Sequence, residues 1–246
     1  MKLFLGLLLI LICGLRSSEG ILNGEEAALR PYYAYIQGGT SPSGGGAFIT
    51  RRHVLTIARL LFGFTQWQIG YGATVMSNLT IITSNIAFIH PGFVTDNTNN
   101  IGVIVLPQLI TSPLVEPINL PLPASVMVLP RLEEEGTIVG FSVSSANGVP
   151  IPSSDLRAAY LLVQPNTVCA SMQRSTENVF CARDDEYSAN VCTNNIGSPF
   201  VTSFRGNQIL TGLLTEIELF CIRSDRSMYV QTQNYLDWIQ SVANIN

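Results

Sequence analysis

Residues 191–201, with the sequence V-C-T-N-N-I-G-S-P-F-V, form a polar loop that begins beside a cysteine and runs into an apolar, β-rich stretch. A hydroxyl held in a loop of this kind could serve as a catalytic nucleophile. Such chemistry needs a hydroxyl, an imidazole that takes and returns its proton, and a carboxylate that holds the imidazole. Ser198 offers a hydroxyl, and the chain has only 2 histidines, His53 and His90. The elements around these residues decide whether a catalytic site can form.

The composition favours a folded protein without a polyanionic partner. The chain has 246 residues, of which 47% are hydrophobic and 12% are charged. It is therefore long enough for a large core and too weakly charged to be disordered. The net charge is -4 and no basic run occurs, which argues against nucleic acid and anionic membranes as partners.

Short apolar or alternating runs separated by Gly, Pro, Asn and Ser begin at residue 21 and predict many short strands. The predicted strands are 33–37, 46–50, 53–57, 66–71, 85–89, 101–105, 137–141, 158–163, 200–201 and 209–214. Their even spacing favours an all-β barrel or sandwich. Apolar residues at helical spacing in 235–246 predict a terminal amphipathic helix. The prolines of 117–123 predict an extended connector between two halves of similar size.

The first residues, 1–20, predict a secretory signal peptide. A charged start precedes an apolar core at 3–15, which is too short to span a bilayer comfortably. Small residues favour cleavage after Gly20, with Ser17 and Ser18 as competing sites. We therefore expect a secreted protein.

Four cysteines remain once that segment is removed, an even set in an oxidising compartment, and they predict two disulfides. They are Cys169, Cys181, Cys192 and Cys221. Sequence alone permits three pairings. Metal ligation and free thiols are weaker alternatives because no CxxC motif or clustered histidine accompanies them, and we expect no metal and no cofactor. Asn78 starts an N-L-T sequon, which predicts an N-glycan on a surface loop.

Several short motifs fall in one order along the chain. They are I-L-N-G at 21–24, G-G-G-A-F-I at 44–49, V-L-T-I-A at 54–58, H-P-G-F at 90–93, N-I-G-V-I at 100–104, P-I-N-L-P at 117–121, G-F at 140–141, the loop at 191–201 and Y-L-D-W-I at 235–239. This series resembles the trypsin/chymotrypsin-like serine peptidases over essentially the whole mature chain. The resemblance implies a trypsin-like domain at 21–246. It would contain two packed antiparallel Greek-key β-barrels, at about 21–120 and about 121–234, with a cleft between them and a helix at about 235–246.

The same resemblance implies which cysteines pair. The pairs are Cys169 with Cys181 and Cys192 with Cys221. The second bond would tie the nucleophile loop to the opposite wall of the pocket. The family's usual third bridge joins positions held here by Gly44 and Leu60, and the joint absence of both cysteines supports the register.

All three catalytic positions that the resemblance assigns are substituted. Arg59 stands at the histidine position, and its guanidinium stays protonated and cannot act as a base near neutral pH. Asn100 stands at the carboxylate position, where an amide can form hydrogen bonds but cannot stabilise an imidazolium by charge. Ile196 stands at the serine position and has no nucleophilic atom. These three residues predict a catalytically inactive protein.

Displaced machinery is not expected either. The resemblance places both histidines outside the cleft, so we expect His53 to end a strand and His90 to support a loop. Ser198 lies two residues past Ile196, and in a tight loop that offset points its side chain elsewhere. A displaced serine beside Arg59 would still lack a base.

The activation switch and the specificity pocket are altered as well. In active relatives the freed amine of the residue matching Ile21 pairs with an aspartate just before the serine, and here that residue is Asn195. A buried ammonium facing a neutral amide keeps much of its desolvation cost. We therefore expect weakened insertion of Ile21 and a loop nearer the inactive, zymogen-like arrangement. The pocket would have Asn190 at its floor and Ile217 and Ser227 on its walls, and the bulk of Ile217 would obstruct a long side chain.

These expectations favour a secreted serine protease homologue that binds a protein, such as a protease, a protease inhibitor or an immune factor. Family membership alone favours an active serine endopeptidase. A third possibility is an apolar small-ligand carrier that uses the former cleft, although Ile196 and Ile217 more simply fill that cleft with apolar contacts. A partner would bind at surface loops, and the candidates are 38–45, 96–100, 142–155 and 215–225.

Overall fold

A computed structural model describes residues 21, 24–40, 43–95, 97–141, 143–146, 149–152, 154–170, 172, 177–184, 189, 191–217 and 226–245. Side chains are described at these positions except at 143–146, 149–152, 166, 169 and 193. The described residues form two curled antiparallel sheets and, near the C-terminus, one helix longer than a single turn. The predicted all-β class with two barrels and a terminal helix is therefore confirmed.

The first barrel closes at a corner where its two end strands follow each other directly in the chain. The strands up to residue 105 are β1 (Glu25–Glu26), β2 (Tyr33–Gly38), β3 (Ser43–Phe48), β4 (His53–Thr56), β5 (Trp67–Tyr71), β6 (Thr80–Ser84), β7 (Ile86–Ile89) and β8 (Gly102–Val105). They pair in the order β6-β5-β2-β3-β4-β8-β7, without β1. Only Asn85 separates β6 from β7, so the two ends of the sheet are consecutive in the chain. At this corner the Ser84 hydroxyl donates to the carbonyl of Val105 at 2.6 Å and accepts from the N–H of Ile86 at 3.1 Å.

The second barrel closes by direct pairing of its end strands. The strands after residue 130 are β9 (Glu135–Gly140), β10 (Val143–Ala146), β11 (Val149–Pro152), β12 (Arg157–Gln164), β13 (Val179–Arg183), β14 (Pro199–Phe204), β15 (Asn207–Ile217) and β16 (Ser227–Gln231). The ring runs β12-β13-β16-β15-β14-β9, and β9 pairs back onto β12. Strand β1 also pairs with β12, with Glu25 opposite Ala158, and so joins the start of the described chain to the second barrel.

Strands β10 and β11 form a separate hairpin, with Val143 opposite Pro152 and Ala146 opposite Val149. We expected 142–155 to be a surface loop, and that expectation is wrong for these two strands. The two residues between them in sequence, N-G, are strongly favoured in hairpin connections. Each of the ten predicted strands overlaps an observed one, whereas β1, β6, β10, β11, β13 and β16 were not predicted.

Three large clusters of buried apolar side chains build most of the core, beside a small one at Val179, Cys181 and Met228. One fills the first barrel around Phe48, and one fills the second barrel around Phe200 and Tyr229. The third joins the two barrels and the terminal helix, and includes Tyr33, Leu55, Phe141, Val201 and Ile239. Full burial of such a side chain is worth about 1.5–3 kcal/mol, so the contact between the barrels is a core rather than a loose interface.

The terminal helix docks on this shared cluster. The helical segments before it are short, namely Ala58–Leu60, Met76–Asn78, α1 (Asn166–Cys169), Thr193–Asn195 and Thr232–Tyr235. Helix α2 (Leu236–Ala243) buries Leu236, Ile239 and Ala243. It ends at Asn244, which has a left-handed backbone (φ 50) and whose N–H bonds to the carbonyl of Gln240. The predicted helix at 235–246 was thus too long at both ends.

The connector at 117–123 contacts both barrels. The N–H of Ile118 donates to the carbonyl of Phe48 in β3, and the N–H of Leu210 in β15 donates to the carbonyl of Asn119, both at 2.9 Å. The proline-rich segment is therefore held along the seam between the barrels.

Candidate functional site

The loop that precedes β14 is anchored by backbone hydrogen bonds to both barrels. The carbonyl of Ile196 accepts from the N–H of Gly45 at 2.8 Å, and the N–H of Gly197 donates to the carbonyl of Leu214 at 2.6 Å. Gly197 has φ +79, a conformation that favours glycine. The short helical turn at Thr193–Asn195 and the carbonyl of Ile196 are therefore fixed in place.

The side chain of Leu60 fills the space between this loop and β3. A Cβ added to Gly44 would overlap the carbonyl of Ile196 and would lie 2.7 Å from Leu60 Cδ1. A Cβ added to Gly197 would lie 2.9 Å from the same Leu60 carbon. The two positions assigned to the family's third bridge are thus neighbours in space, and leucine packs where that bridge would run.

Arg59 and Asn100 lie side by side. Arg59 belongs to the short helical turn at Ala58–Leu60, and its backbone N–H donates to Asn100 Oδ1 at 2.9 Å. Asn100 is fully buried. Its Nδ2 donates to Thr215 Oγ1 at 2.8 Å and to Asn97 Oδ1 at 3.1 Å. Thr215 follows Leu214 in β15, and the carbonyl of Leu214 accepts from the N–H of Gly197. The three positions that the resemblance assigns to the catalytic groups, Arg59, Asn100 and Ile196, therefore lie in one region.

The chemistry available in this region is limited. The Arg59 side chain is exposed, and a guanidinium has donors but no acceptor. The Asn100 amide uses its donors on Thr215 and Asn97 and carries no charge. The Ile196 side chain is partly buried against the cluster shared by the barrels. None of these three groups can take a proton from a hydroxyl near neutral pH.

Three of the predicted partner-binding loops contain residues that are already bonded or buried. In 96–100, Asn97 and Asn100 are buried, and Asn97 Nδ2 donates to Glu216 Oε2 at 3.3 Å. In 215–225, Thr215 is buried within β15, and 218–225 lie outside the described residues. In 38–45, the stretch from Ser43 belongs to β3. Within the described parts of these segments, Asn97, Asn100 and Thr215 are therefore used in contacts between the two barrels, and the role of these loops in binding a partner stays a prediction.

The side chain of Ile21 is fully buried in the core of the second barrel, in the cluster that contains Ile138 and Val191. Asn195 is buried too, and its Oδ1 accepts from the N–H of Cys192 at 3.0 Å. Apolar packing accounts for this burial of the Ile21 side chain and is independent of any charge pair with Asn195. The expected weak insertion of the free Ile21 amine and the zymogen-like loop stay predictions.

Unsatisfied polar atoms gather beside Asn195. Its Nδ2, Ser198 Oγ and Tyr33 Oη are buried without a hydrogen bond of good geometry. A Cβ added to Gly140 would overlap Asn195 Nδ2 and lie 3.1 Å from Ser198 Oγ, so these two atoms are near each other. Burial raises the pKa of the Tyr33 phenol, opposed by the nearby Phe141 backbone and the Ser198 hydroxyl. Ser198 is fully buried and points away from solvent.

The two residues assigned to the walls of the predicted specificity pocket are cross-strand neighbours. Ile217 in β15 is directly opposite Ser227 in β16. Ile217 is partly buried against the second-barrel cluster. The buried Ser227 hydroxyl lies 3.1 Å from the carbonyl of Ala182 and 2.8 Å from Tyr229 Oη. Burial raises the pKa of Tyr229, partly offset by that bond. The predicted floor residue, Asn190, lies outside the described residues.

Both histidines have structural contacts. His53 begins β4 rather than ending a strand, and its Nδ1 lies 2.8 Å from the Thr50 hydroxyl. His90 Nδ1 accepts from the N–H of Gly92 at 3.1 Å, which agrees with its predicted support of a loop. The ring of His90 meets Tyr235 and Trp238 edge to face at centroid distances of 5.3 and 5.2 Å. Burial lowers the pKa of both histidines, and for His53 the neighbouring Arg52 adds to this.

The cysteines and the sequon are described only in part. Cys181 and Cys192 are each disulfide-bonded. The side chain of Cys169 and all of Cys221 lie outside the description, so the pairing stays a prediction. Asn78 is exposed at the end of a short helical turn, which leaves it accessible to a modifying enzyme.

The described residues contain no group of three or more side chains suited to a metal ion. Among them, no helix is both long and apolar enough to cross a membrane.

Sequence reasoning missed four residues that shape this region: Leu60 as a filler, and Asn97, Thr215 and Tyr229 as hydrogen-bond partners. Thr215 and Asn97 gave no signal because their role depends on contacts between segments more than 100 residues apart in sequence. Gly44 and Leu60 did give a sequence signal, because both stand where the related family has cysteine.

Two closed antiparallel barrels packed on a shared core, with the loop before β14 lying between them, define the trypsin-like serine protease fold. Comparison with known sequences agrees, since the Trypsin family matches residues 21–239. This chain therefore belongs to the trypsin family.

Individual relatives are distant. The chain is similar to a chymotrypsin from Phaedon cochleariae, with 25% identity over 252 residues covering 90% of this chain and 81% of that protein. It is similar to the CLIP domain-containing serine protease B15 of Anopheles gambiae, with 23% identity over 266 residues covering 94% of this chain and 71% of that protein. The match to an ovochymase of Halocynthia roretzi has 25% identity and covers 70% of this chain but only 11% of that protein.

Proposed function

We propose that this chain is a secreted, catalytically inactive serine protease homologue that acts by binding a protein. The observation that carries the proposal is the 2.9 Å hydrogen bond from the N–H of Arg59 to Asn100 Oδ1. The residues assigned to the histidine and carboxylate positions are neighbours in space, as the alignment with the family requires. This supports reading Arg59 and Asn100 as substitutions within the site rather than as a shifted alignment.

Loss of catalysis follows from the chemistry of the substituted groups. Arg59 cannot accept a proton, Asn100 has no charge, and Ile196 has no nucleophile. The serine closest in sequence to Ile196 is Ser198, which is fully buried and therefore cannot reach a substrate. In a serine protease whose variants have been measured, removing the nucleophile or the base alone lowers the catalytic rate by about six orders of magnitude.

A binding role fits the retention of the scaffold. The loop before β14 is still tied to Gly45 and Leu214, and the region around Asn100 keeps bonds between the barrels. A chain that has lost the chemistry but keeps this framework offers a rigid surface for a protease, a protease inhibitor or an immune factor.

Secretion is part of the same proposal. It is supported by the predicted signal peptide at 1–20, the disulfide-bonded state of Cys181 and Cys192 and the exposed sequon at Asn78. We propose that Cys169 pairs with Cys181 and Cys192 with Cys221, and that Asn78 carries an N-glycan.

The proposal is tested with the secreted protein purified after removal of residues 1–20. We expect no cleavage of a mixed library of peptide substrates above the buffer rate, and no covalent labelling by a serine-directed phosphonate. An active chymotrypsin at the same concentration is the positive control. Phosphonate labelling with matching peptide cleavage would establish an enzyme and overturn the proposal.

The binding role needs its own measurement. We expect affinity capture from the native secretion to yield a protein that rebinds the purified chain at a fixed stoichiometry when both components are mixed in isolation. Failure of every captured protein to rebind in purified form would reject the binding role.

A further inference from the structure

One exposed patch of unusual composition lies beside the substituted catalytic positions. We name it the Arg–Phe patch and define it as Arg59, Phe62, Phe93 and Val94. Phe62 is 57% exposed and Val94 is 51% exposed. Large apolar side chains grouped at a surface mark sites of interaction more often than isolated ones do.

Local backbone geometry puts Arg59 and Phe62 on one face. The turn at Ala58–Leu60 continues, because the N–H groups of Leu61 and Phe62 both donate to the carbonyl of Ala58, at 2.9 and 2.8 Å. Residues three apart in such a turn are neighbours. Ala58, Leu60 and Leu61 are buried, so this turn directs its apolar face inward and presents Arg59 and Phe62 outward.

The rest of the patch comes from the loop that follows β7. The Phe93 ring meets Phe62 edge to face, with centroids 5.8 Å apart at an interplanar angle of 60°. The loop is held by hydrogen bonds from the N–H of Phe93 to the carbonyl of His90 and from the N–H of Val94 to the carbonyl of Thr98. Its far end is fixed by buried Asn100. The two aromatic rings are therefore presented on a framework that needs little ordering upon binding.

The charge of the patch indicates what it would bind. Arg59 is the only charged residue in 58–64 and 91–95, the two segments that build the patch, and Asp96, which follows directly in sequence, lies outside the described residues. Within the described residues, its guanidinium makes no hydrogen bond or ion pair, and its side chain is exposed. An arginine beside aromatic rings suits a carboxylate next to an apolar side chain, and Arg and aromatic residues dominate binding hot spots.

We propose that the Arg–Phe patch is the contact surface for a protein partner that places an apolar side chain against Phe62 and Phe93 and a carboxylate against Arg59. This inference rests on the proposed binding function and names the surface and the partner chemistry. It differs from the expectation that the loops at 142–155 or 215–225 carry the affinity.

The test uses a phage-displayed library of random linear peptides selected on the immobilised full chain. We expect enrichment of peptides with Asp or Glu within two positions of Leu, Met or Phe. For the best synthetic peptide, Arg59→Glu and Phe62→Ser should each weaken binding by about tenfold or more, as measured by fluorescence anisotropy.

Matched controls exist in the same chain. Arg205 is exposed and lies over the Phe204 ring at 5.1 Å, so Arg205→Glu reverses charge at a second arginine–aromatic site. Ile86 is 50% exposed, so Ile86→Ser removes a comparable apolar side chain elsewhere. We expect each control to change affinity by less than about twofold, as is usual for surface substitutions away from the contact. No acidic–apolar enrichment, or equal losses in variants and controls, would overturn the inference.

Failure of the patch can be told apart from failure of the proposed function. A native partner that rebinds with unchanged affinity to Arg59→Glu and Phe62→Ser would leave the binding role standing and reject the patch. Cleavage of the selected peptides together with phosphonate labelling would instead reject the proposed function.

Discussion

Asn100 in the first barrel donates a 2.8 Å hydrogen bond from Nδ2 to Thr215 Oγ1 in the second barrel, and both residues are fully buried. The same amide accepts from the N–H of Arg59. A carboxylate at this position could accept from Thr215 and Arg59 but could not donate to Asn97 Oδ1. Asparagine therefore acts here as a structural connector between the barrels.

Removal of this connector should destabilise the fold. Asn100→Ala leaves the Arg59 N–H and buried Thr215 without their partner, so we expect a loss of about 2–3 kcal/mol in the free energy of unfolding. Chemical denaturation measures it. Asn119→Ala is the matched control, because Asn119 is exposed and its side chain makes only a 3.4 Å bond to Gln208. A loss in Asn100→Ala no larger than in this control would contradict the connector role.

Placing the three catalytic groups together at positions 59, 100 and 196 should create a reactive serine. The triple variant is Arg59→His/Asn100→Asp/Ile196→Ser. Residue 100, which now accepts from the N–H of Arg59, would hold the imidazole, and the anchored loop before β14 would hold the serine. We expect labelling by a serine-directed phosphonate at least about a thousandfold faster than in the unchanged chain, since a complete triad is worth about six orders of magnitude elsewhere.

Two controls accompany the triple variant. Ile196→Ser alone should remain unlabelled because it lacks a base. Adding Ser198→Ala to the triple variant should leave the labelling rate unchanged, because Ser198 is buried. Equal labelling of the single and triple variants would show that the three positions do not act as one site.

Asn195→Asp should destabilise the protein clearly more before processing than after it. Asn195 is fully buried, so a new carboxylate there is costly unless the free amine of Ile21 pairs with it. We expect a loss of about 3 kcal/mol when residues precede Ile21, and a clearly smaller loss or a gain when the chain starts at Ile21. Thermal unfolding of both forms gives the difference, and an equal effect in the two forms would exclude pairing of Ile21 with residue 195.

Stability should fall as the pH drops below about 6.5, the ordinary pKa of histidine. Burial lowers the pKa of His90 and His53 in the folded chain. Between the ordinary and the lowered pKa the unfolded chain binds more protons, so lowering the pH favours unfolding. Protonation would also remove the acceptor that His90 Nδ1 offers to the N–H of Gly92.

The measurement is the free energy of unfolding between pH 7 and 5. His53→Asn/His90→Asn should flatten its slope in that window even if the variant is less stable throughout. Tyr35→Phe, which leaves both histidines in place, should keep the slope of the unchanged chain. An unaltered slope in the double variant would assign the pH dependence to other groups.

The prediction of the fold succeeded where local pattern and burial coincide. Strands such as β2 and β5 alternate or continue apolar residues, and their bounds were nearly right. Strand β16 was missed because its apolar run is only three residues long, between Ser227 and Gln231. Its pairing with β13 and β15 supplies the stability. Among the described strands, the short β1 pairs with β12 alone.

The sequence by itself determined the class of fold and the chemical nature of the substituted positions. Side-chain chemistry does not depend on the fold. Arg59 cannot act as a base near neutral pH, Asn100 carries no charge, and Ile196 has no nucleophilic atom. The tertiary structure decided which residues meet. The bonds from Asn100 to Thr215 and from Asn97 to Glu216, the burial of Ile21 and the Phe62–Phe93 contact depend on how the barrels and loops pack. Such contacts join segments distant in sequence, and no local pattern encodes them.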